Sequence, residues 1–241
     1  HQENAISRAI NNKNIVVTTG TGSGKTESFL IPILYHIINE YELKKLTPGV
    51  RALLIYPLNA LVNDQMEKLR KILSNFPEIT YGSYTGQTKN SYKDALNEYR
   101  SLNENREPLE NELISRDQMK EKPPHILITN YAMLEYLMLR PEDNVFFQGE
   151  YSGNWKYIVL DEAHIYDGST GIEVSMLLRR LKATLNNENI RYILTSATLG
   201  SEKDNKDVVT FACNLCNSEF SEDNIIRAEI AKIEMPVNCK N

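Results

Sequence analysis

In the stretch YIVLDEAH, which covers residues 157–164, two adjacent carboxylates directly follow an apolar run. Four residues suited to a buried strand, 157–160, run directly into Asp161 and Glu162. Adjacent negative charges repel each other, and near a protein interior each is costly unless a cation or a proton compensates it. The pattern therefore indicates a site at which these two acids meet positive charge.

A glycine-rich stretch upstream, VVTTGTGSGKTE at residues 16–27, can bring that charge. Its three spaced glycines let the backbone curl so that successive N–H groups point at one spot, and the helix that follows adds its positive N-terminal end. Lys25 adds a full charge. The stretch predicts a cradle for the phosphates of a nucleotide, although the strict P-loop pattern has glycine at the position of Thr19.

Mg²⁺ bound to a triphosphate is then the expected counter-charge. The Thr26 hydroxyl and Asp161 would hold the ion, and Glu162 would orient and activate the water that attacks the γ-phosphate. Taken singly, the acids could sit at a helix N-terminus and the glycines could form a flexible turn. The order of strand, loop, Lys25, Thr26 and helix, followed by an apolar strand that ends in two acids, favours nucleotide binding.

The elements that must position these residues follow from the alternation of short apolar runs with helix-length amphipathic segments. That alternation predicts an α/β fold, in which a parallel sheet is covered by helices on both faces. The predicted strands are 14–18, 51–56, 79–83, 125–129, 157–160 and 191–195, with a weaker one at 224–230, and the predicted helices include 27–41, 59–73, 130–140, 176–182 and 207–216.

One segment, residues 88–122, breaks this rhythm. It holds 15 Asp, Glu, Lys and Arg residues and few large apolar ones. We therefore expect a charged, solvated and partly helical insertion that contributes no core element.

The composition narrows the class of protein. The chain has 241 residues, and 27 Lys and Arg against 32 Asp and Glu give a net charge of −5, which does not indicate a basic nucleic-acid-binding face. No run approaches 18 apolar residues, so we expect no membrane span. The chain begins with His1 rather than Met, so we expect a piece of a longer protein.

The three cysteines, Cys213, Cys216 and Cys239, are an odd number, which suits reduced thiols in a cytoplasmic protein. Cys213 and Cys216 form a CxxC spacing that could bind zinc. They lie in an apolar helical pattern without a second such pair, however, which favours packing. Arg179 and Arg180 are expected to face outward, with a contact to DNA as the alternative.

DEAH (161–164) followed by SAT (196–198), together with TGTGSGKT (19–26), resembles the first RecA-like domain of superfamily 2 DEAD/DEAH-box helicases and translocases. PLNAL (57–61) and YTG (84–86) look like motifs Ia and Ib, and TN (129–130) stands where the family commonly has Thr-Pro. Longer stretches, such as YPLNALVNDQMEKLRKIL and LDEAHIYDGSTGIEVSMLLRRL, resemble a bacterial subgroup of large DNA helicases linked to cross-link repair and phage defence.

The resemblance implies a RecA-like parallel sheet sandwiched by helices, as in P-loop NTPases. It also implies an ATP-dependent helicase activity with ATP and Mg²⁺ as cofactors and DNA as a partner. Residues 1–230 would form the N-terminal ATP-binding domain, and 231–241 would begin a linker to a second, C-terminal RecA-like lobe. Because that lobe supplies an arginine finger in this family, we expect the chain alone to be weakly active or inactive.

Carried onto this sequence, the resemblance assigns four groups of site residues. The catalytic residues are Lys25, Asp161, Glu162 and His164, of which Asp161 also binds the metal with Thr26. The nucleotide contacts are Gln2, which would read adenine, and Thr21, Gly22, Ser23, Gly24, Lys25 and Thr26. The coupling residues are Ser196 and Thr198, and the nucleic-acid contacts are Pro57, Asn59, Thr85, Gly86, Thr129 and Asn130.

Several alternatives stay open. His164 could be a surface helix histidine, Ser196 and Thr198 could cap a helix, and each pair of nucleic-acid residues could be a simple turn. The whole protein could be a double-stranded DNA translocase that separates no strands, or a P-loop scaffold that binds a protein partner in repair or defence. RNA is a further alternative substrate, since contacts to a phosphate backbone do not identify the sugar.

Overall fold

Eight parallel strands form one sheet in the computed structural model, which describes residues 2–20, 24–199 and 204–227. In chain order they are β1 (Ile15–Thr18), β2 (Ala52–Tyr56), β3 (Tyr81–Ser83), β4 (Glu112–Leu113), β5 (Ile126–Asn130), β6 (Tyr157–Leu160), β7 (Arg191–Ser196) and β8 (Ile225–Arg227). Their order across the sheet is β4-β3-β5-β2-β6-β7-β1-β8. Since all the pairings are parallel, the carboxyl ends of the strands share one edge.

Eight α-helices accompany the sheet in the described part of the chain. They are α1 (Gln2–Ile10), α2 (Lys25–Glu42), α3 (Asn59–Leu73), α4 (Tyr92–Leu102), α5 (Arg116–Glu121), α6 (Tyr131–Leu139), α7 (Gly168–Leu185) and α8 (Asn205–Cys216). Short 3₁₀ turns lie at Pro141–Phe146, Ser152–Asn154, Ala163–Ile165 and Glu222–Asn224. No helix within the described ranges has both the length and the apolar character that crossing a bilayer requires.

The helices form two layers, one on each face of the sheet. Ile15 and Val17 of β1 join one buried cluster with residues of α1, α2 and α3, while Val16 joins a second cluster with residues of α6, α7 and α8. This split follows from the strand period of two, which sends successive side chains to opposite faces. Burial on both faces explains why the strands are continuous apolar runs rather than alternating ones.

The sequence-based fold is confirmed in its main lines. The six main predicted strands are all present, and the weaker one is β8, whose predicted end lies outside the described residues. The segment at 130–140 is helix α6, which buries Met133, Leu134 and Leu137. The apolar segment with the two spaced cysteines is helix α8, which packs on the sheet.

The insertion at residues 88–122 corrects one expectation. It is charged and partly helical, as predicted, since it holds α4 and α5. It nevertheless contributes to the core, because β4 extends the sheet beside β3 and Met119 of α5 is fully buried. A two-residue strand is too short to show a hydrophobic period, so its sequence gave no strand signal.

Candidate functional site

Both ends of the loop between β1 and α2 contact neighbouring elements of the fold. Thr19 donates its backbone N–H to the Ser196 carbonyl at 3.1 Å, which ties the start of the loop to β7. Gly24 precedes α2 with a φ of +81°, and a Cβ there would collide with the side chain of Gln2. Only glycine suits this position. Gln2 donates to the Gly24 carbonyl at 3.4 Å, so α1 lies against the loop.

The centre of the loop, at Thr21, Gly22 and Ser23, lies outside the described residues, so their predicted nucleotide contacts stay predictions. Thr26 follows in the first turn of α2. Its hydroxyl accepts a hydrogen bond at 3.3 Å from Lys68 of α3. The sequence does not indicate Lys68 as a residue of this site, because only the packing of α2 beside α3 brings it close to Thr26.

Lys25, the first residue of α2, meets Glu162 directly. The lysine Nζ lies 3.1 Å from Glu162 Oε1, and the two side chains are only 11% and 22% exposed. Glu162 adopts the left-handed conformation, with φ of +50°, which is unfavourable for a residue with a side chain. Such conformations persist where the surrounding structure imposes them and are frequent at functional sites.

Asp161 directly follows β6 and lies between the two neighbours of that strand in the sheet, β2 and β7. Its N–H donates to the Ile55 carbonyl at 3.0 Å, and its Oδ1 accepts the hydroxyl of Thr195. Burial raises the pKa of Asp161, and the negative charge of Glu162 raises it further, against the opposing effects of Thr195 and Lys25. A carboxyl in this situation suits a bound cation.

Thr195 is a site residue that the sequence analysis missed. Leu160 and Leu194 are partners in the β6–β7 register, so the next residues, Asp161 and Thr195, lie side by side. The sequence alone does not indicate this contact, because it depends on which strands are neighbours in the sheet and on their register.

His164 connects the DEAH stretch (161–164) with the SAT stretch (196–198). Its Nδ1 lies 3.0 Å from Ser196 Oγ and 3.3 Å from Glu162 Oε2. Ser196 Oγ also accepts the backbone N–H of Thr198 at 3.1 Å. His164 is therefore joined to the turn at residues 196–198, and it occupies a 3₁₀ turn rather than a surface helix.

Further along the same sheet edge, Asn59 and Asn130 contact each other. Asn130 Nδ2 donates to Asn59 Oδ1 at 2.8 Å, while Asn130 Oδ1 accepts the N–H of Met133 at 2.7 Å and caps α6. Pro57 is half-buried just beyond β2. The asparagine that replaces the family's proline thus has a structural role as a helix cap.

Thr85, Gly86 and Thr129 differ in what they present to solvent. Gly86 is exposed, and a Cβ there would meet nothing within 4 Å. Thr85 is nearly buried, and its hydroxyl accepts the Gln87 N–H at 3.2 Å. Thr129 is fully buried and donates its hydroxyl to the Tyr84 carbonyl at 2.6 Å, so this conformation offers no Thr129 hydroxyl to a ligand.

The cysteine pair has the environment of packed side chains. Cys216 is buried, which raises the pKa of its thiol, and Cys213 is half-buried on the same helix. Within the described ranges, no three His, Cys, Asp or Glu side chains are grouped so that they could hold a metal ion. Cys239 lies outside those ranges. Arg179 and Arg180 are exposed, and Arg180 pairs with Glu135 at 2.7 Å.

A parallel sheet between helix layers, with a glycine loop, a lysine and two acids at its carboxyl edge, defines a RecA-like P-loop NTPase. The chain belongs to the DEAD/DEAH box helicase family, whose model matches residues 1–206. The chain has the fold of that family's ATP-binding domain, and the resemblance to superfamily 2 helicases is thereby confirmed.

Individual relatives agree with this assignment. The chain is similar to the Druantia protein DruE of Escherichia coli, with 33% identity across 85% of this chain and 16% of DruE. It is similar to the ATP-dependent helicase hrq1 of Schizosaccharomyces pombe, with 30% identity across 83% of this chain and 16% of hrq1. A crystal structure of the helicase MrfA bound to DNA matches with a TM-score of 0.70 and 26% identity, across 95% of this chain and 27% of MrfA. The chain thus spans between a sixth and about a quarter of these proteins.

Proposed function

We propose that this chain is the ATP-binding motor half of a DNA helicase, which couples ATP hydrolysis to movement along DNA or to strand separation. The observation that carries the proposal is the chain of contacts from Lys25 through Glu162 and His164 to Ser196. These contacts join Lys25 and Glu162, which are suited to binding and hydrolysing a nucleotide, to the turn at Ser196, which would transmit the nucleotide state to the rest of the protein.

The residues at the sheet edge fit ATP and Mg²⁺. Thr26 and Asp161 offer a hydroxyl and a carboxylate oxygen, the ligand types that Mg²⁺ prefers, and burial raises the pKa of the half-buried Asp161 even though Lys25 favours its charged form. When bound, Mg²⁺ would neutralise charge on the phosphates. Lys25 would stabilise the β- and γ-phosphates, and Glu162 would orient the attacking water and accept its proton. Gln2, which already lies against the loop, would contact the adenine.

Ser196 and Thr198 would couple the nucleotide state to movement. Ser196 Oγ is shared by the His164 ring and the Thr198 N–H, so a change at Glu162 or His164 on nucleotide binding would displace the whole turn. This shared oxygen supports a coupling role over simple helix capping.

The remaining strand ends of the same edge would bind the DNA backbone. Short polar groups and backbone N–H donors near Pro57, Asn59, Thr85, Gly86 and Asn130 can grip phosphate oxygens without reading bases. Such contacts suit a chain whose net charge is −5. Thr129 would act indirectly, by holding the Tyr84 carbonyl. The DNA-bound structure of MrfA supports DNA as the partner.

The rest of the proposal concerns the parent protein. Residues 1–230 would be its N-terminal RecA-like domain, and 231–241 would lead to a second RecA-like lobe that completes the ATP site. Its proposed role is in DNA repair or phage defence, with a partner protein of that pathway, because stretches such as YPLNALVNDQMEKLRKIL resemble the helicase subgroup linked to those processes.

The test uses the parent protein and compares ATP hydrolysis with no nucleic acid, with DNA and with RNA. We expect stimulation by DNA, and we expect Lys25→Ala to abolish it along with cellular function. A fluorescent unwinding assay and a triplex-displacement assay then separate a helicase from a double-stranded DNA translocase. A Lys25→Ala protein that keeps its cellular function would instead identify a scaffold.

A further inference from the structure

The loop Tyr84–Thr88, which follows β3, is closed by its own hydrogen bonds. The Thr85 carbonyl accepts the Thr88 N–H at 3.2 Å, as in a β-turn. The Thr88 hydroxyl accepts the Thr85 N–H at 2.9 Å and donates to the Ser83 carbonyl at 2.8 Å. The turn holds Gly86 at its exposed tip.

Arg116, the first residue of α5 in the insertion, holds this loop from outside. Its Nη2 donates to the Thr85 carbonyl at 3.1 Å, and its guanidinium lies over the Tyr84 ring, 5.1 Å from the centroid. Its backbone N–H donates to the Lys89 carbonyl at 2.9 Å, just where the loop ends. One arginine therefore contacts the loop at its beginning and fixes the residue that follows it.

The same helix reaches the other end of Tyr84. The Tyr84 hydroxyl donates to Oδ1 of fully buried Asp143 at 2.7 Å, and Lys120, one turn after Arg116, lies 3.4 Å from that oxygen. Loss of either contact would leave the buried Asp143 carboxylate less well compensated, which is costly in a protein interior. Tyr84 is thus held through its ring by Arg116 and through its hydroxyl by Asp143.

Helix α5 is short but firmly placed. Ser115 and Gln118 form a reciprocal capping box at its start, which satisfies the first backbone N–H groups. Met119, on the same helix, is fully buried in the core. Arg116 is therefore delivered to the loop by an anchored element.

We infer that Arg116 is a positioning residue for nucleic-acid binding, through which the insertion holds the loop Tyr84–Thr88 in the conformation that meets the phosphate backbone. The inference rests on the proposed function of Thr85 and Gly86. Because the guanidinium is directed at a protein carbonyl and a protein ring, it acts through the loop and not on a phosphate.

The first test measures DNA affinity of the parent protein with Arg116→Ala and Arg116→Lys. Both variants should weaken DNA binding about fivefold to tenfold while ATP affinity stays unchanged, because lysine keeps the charge but lacks the planar fork. The dependence of affinity on salt should keep its slope. Arg100→Ala is the matched control, since Arg100 lies in the same insertion and pairs only with Glu107 among the ion pairs of the described residues.

Two results would overturn the inference. A direct phosphate contact would leave Arg116→Lys near wild-type affinity, while Arg116→Ala would lower the salt slope by about one. Unchanged DNA binding in both variants would show that the loop does not depend on Arg116.

A second measurement stays decisive even if the wild-type parent binds no nucleic acid, which would count against the proposed function itself. Amide hydrogen exchange without DNA should be faster at Thr85, Gln87 and Thr88 in both Arg116 variants than in wild type or Arg100→Ala. Equal exchange rates would exclude positioning by Arg116. If Arg116→Ala fails to fold, the milder Arg116→Lys decides the matter.

Discussion

The Nζ atom of Lys25 lies 3.1 Å from Oε1 of Glu162, so the lysine of the glycine loop and the second acid of DEAH form a direct ion pair. The two residues are 137 positions apart in the chain and meet because β1 and β6 both flank β7. In the proposed function, a nucleotide phosphate would replace Glu162 as the partner of Lys25. The Glu162 carboxylate would then be available to accept a proton from the attacking water. Nucleotide binding and activation of the base would therefore be linked.

Glu162→Gln in the parent protein should separate binding from hydrolysis. Loss of the base should lower ATP turnover by about 100-fold or more. ATP affinity should be retained or increased, because a neutral amide competes less well for Lys25. Phosphate release and nucleotide titration measure the two effects. Glu173→Gln, on the exposed side of α7, is the control, and wild-type turnover in Glu162→Gln would contradict the assignment.

Asp161→Asn should stabilise the nucleotide-free protein while abolishing hydrolysis. Because burial raises the pKa of Asp161, the folded chain binds this proton more tightly than the unfolded chain. Stability must then fall as pH rises from the usual aspartate pKa through the raised value. Asparagine removes that titration and keeps Oδ1 for Thr195, so Tm at neutral pH should rise by about 2 °C.

Thermal melts between about pH 4 and pH 7 check this prediction. The difference in Tm between the two proteins should grow with pH across that window. A lower Tm for Asp161→Asn at neutral pH would mean that Asp161 is stabilised by its surroundings rather than strained by them.

His164→Ala and Ser196→Ala should give the same defect, since the two side chains form one contact. Each should reduce the DNA movement or unwinding obtained per ATP hydrolysed. The double variant should be no worse than the more severe single one, because residues in one hydrogen-bonded unit are not additive. Ser169→Ala, an exposed serine in α7, serves as the control. Fully additive losses would show that the contact is incidental.

Arg70→Ala should destabilise the fold through the insertion. Arg70 of α3 binds buried Glu112 of β4 with two hydrogen bonds, at 2.7 and 3.0 Å. Its removal leaves a buried carboxylate unpaired, which should cost about 2–3 kcal/mol in the free energy of unfolding. Urea unfolding measures the loss. Arg100→Ala, which breaks an exposed pair in the same insertion, should cost less than about 0.5 kcal/mol.

The 241-residue chain without the rest of its parent should bind ATP weakly and hydrolyse it slowly, if the second lobe completes the site as proposed. A malachite-green assay of phosphate release, with the parent protein as the positive control, measures this. Brisk turnover by the chain alone would mean that these residues already contain a complete ATPase.

Much of the fold could be predicted from the sequence, because the positions of most strands and helices follow from local patterns of apolar and polar residues. The six main strands are apolar runs of the length typical of strands. Lys25, Asp161 and Glu162 indicate a phosphate-binding site because they follow the ends of such strands. The insertion was read less well, since Met119 and the short strand β4 carry no period that marks them as buried. Arg116 was one charged residue among many until its contact with Thr85 distinguished it.

The sequence by itself determined the class of fold, the family and the residue types of the nucleotide site, because strand periodicity and loop chemistry depend on neighbours along the chain. Only the tertiary structure decided which groups meet. It paired Thr195 with Asp161, His164 with Ser196 and Arg116 with the Thr85 carbonyl. These pairs arise from strand register and helix packing, and hydrogen bonds depend on distances of a few ångströms that no local pattern specifies.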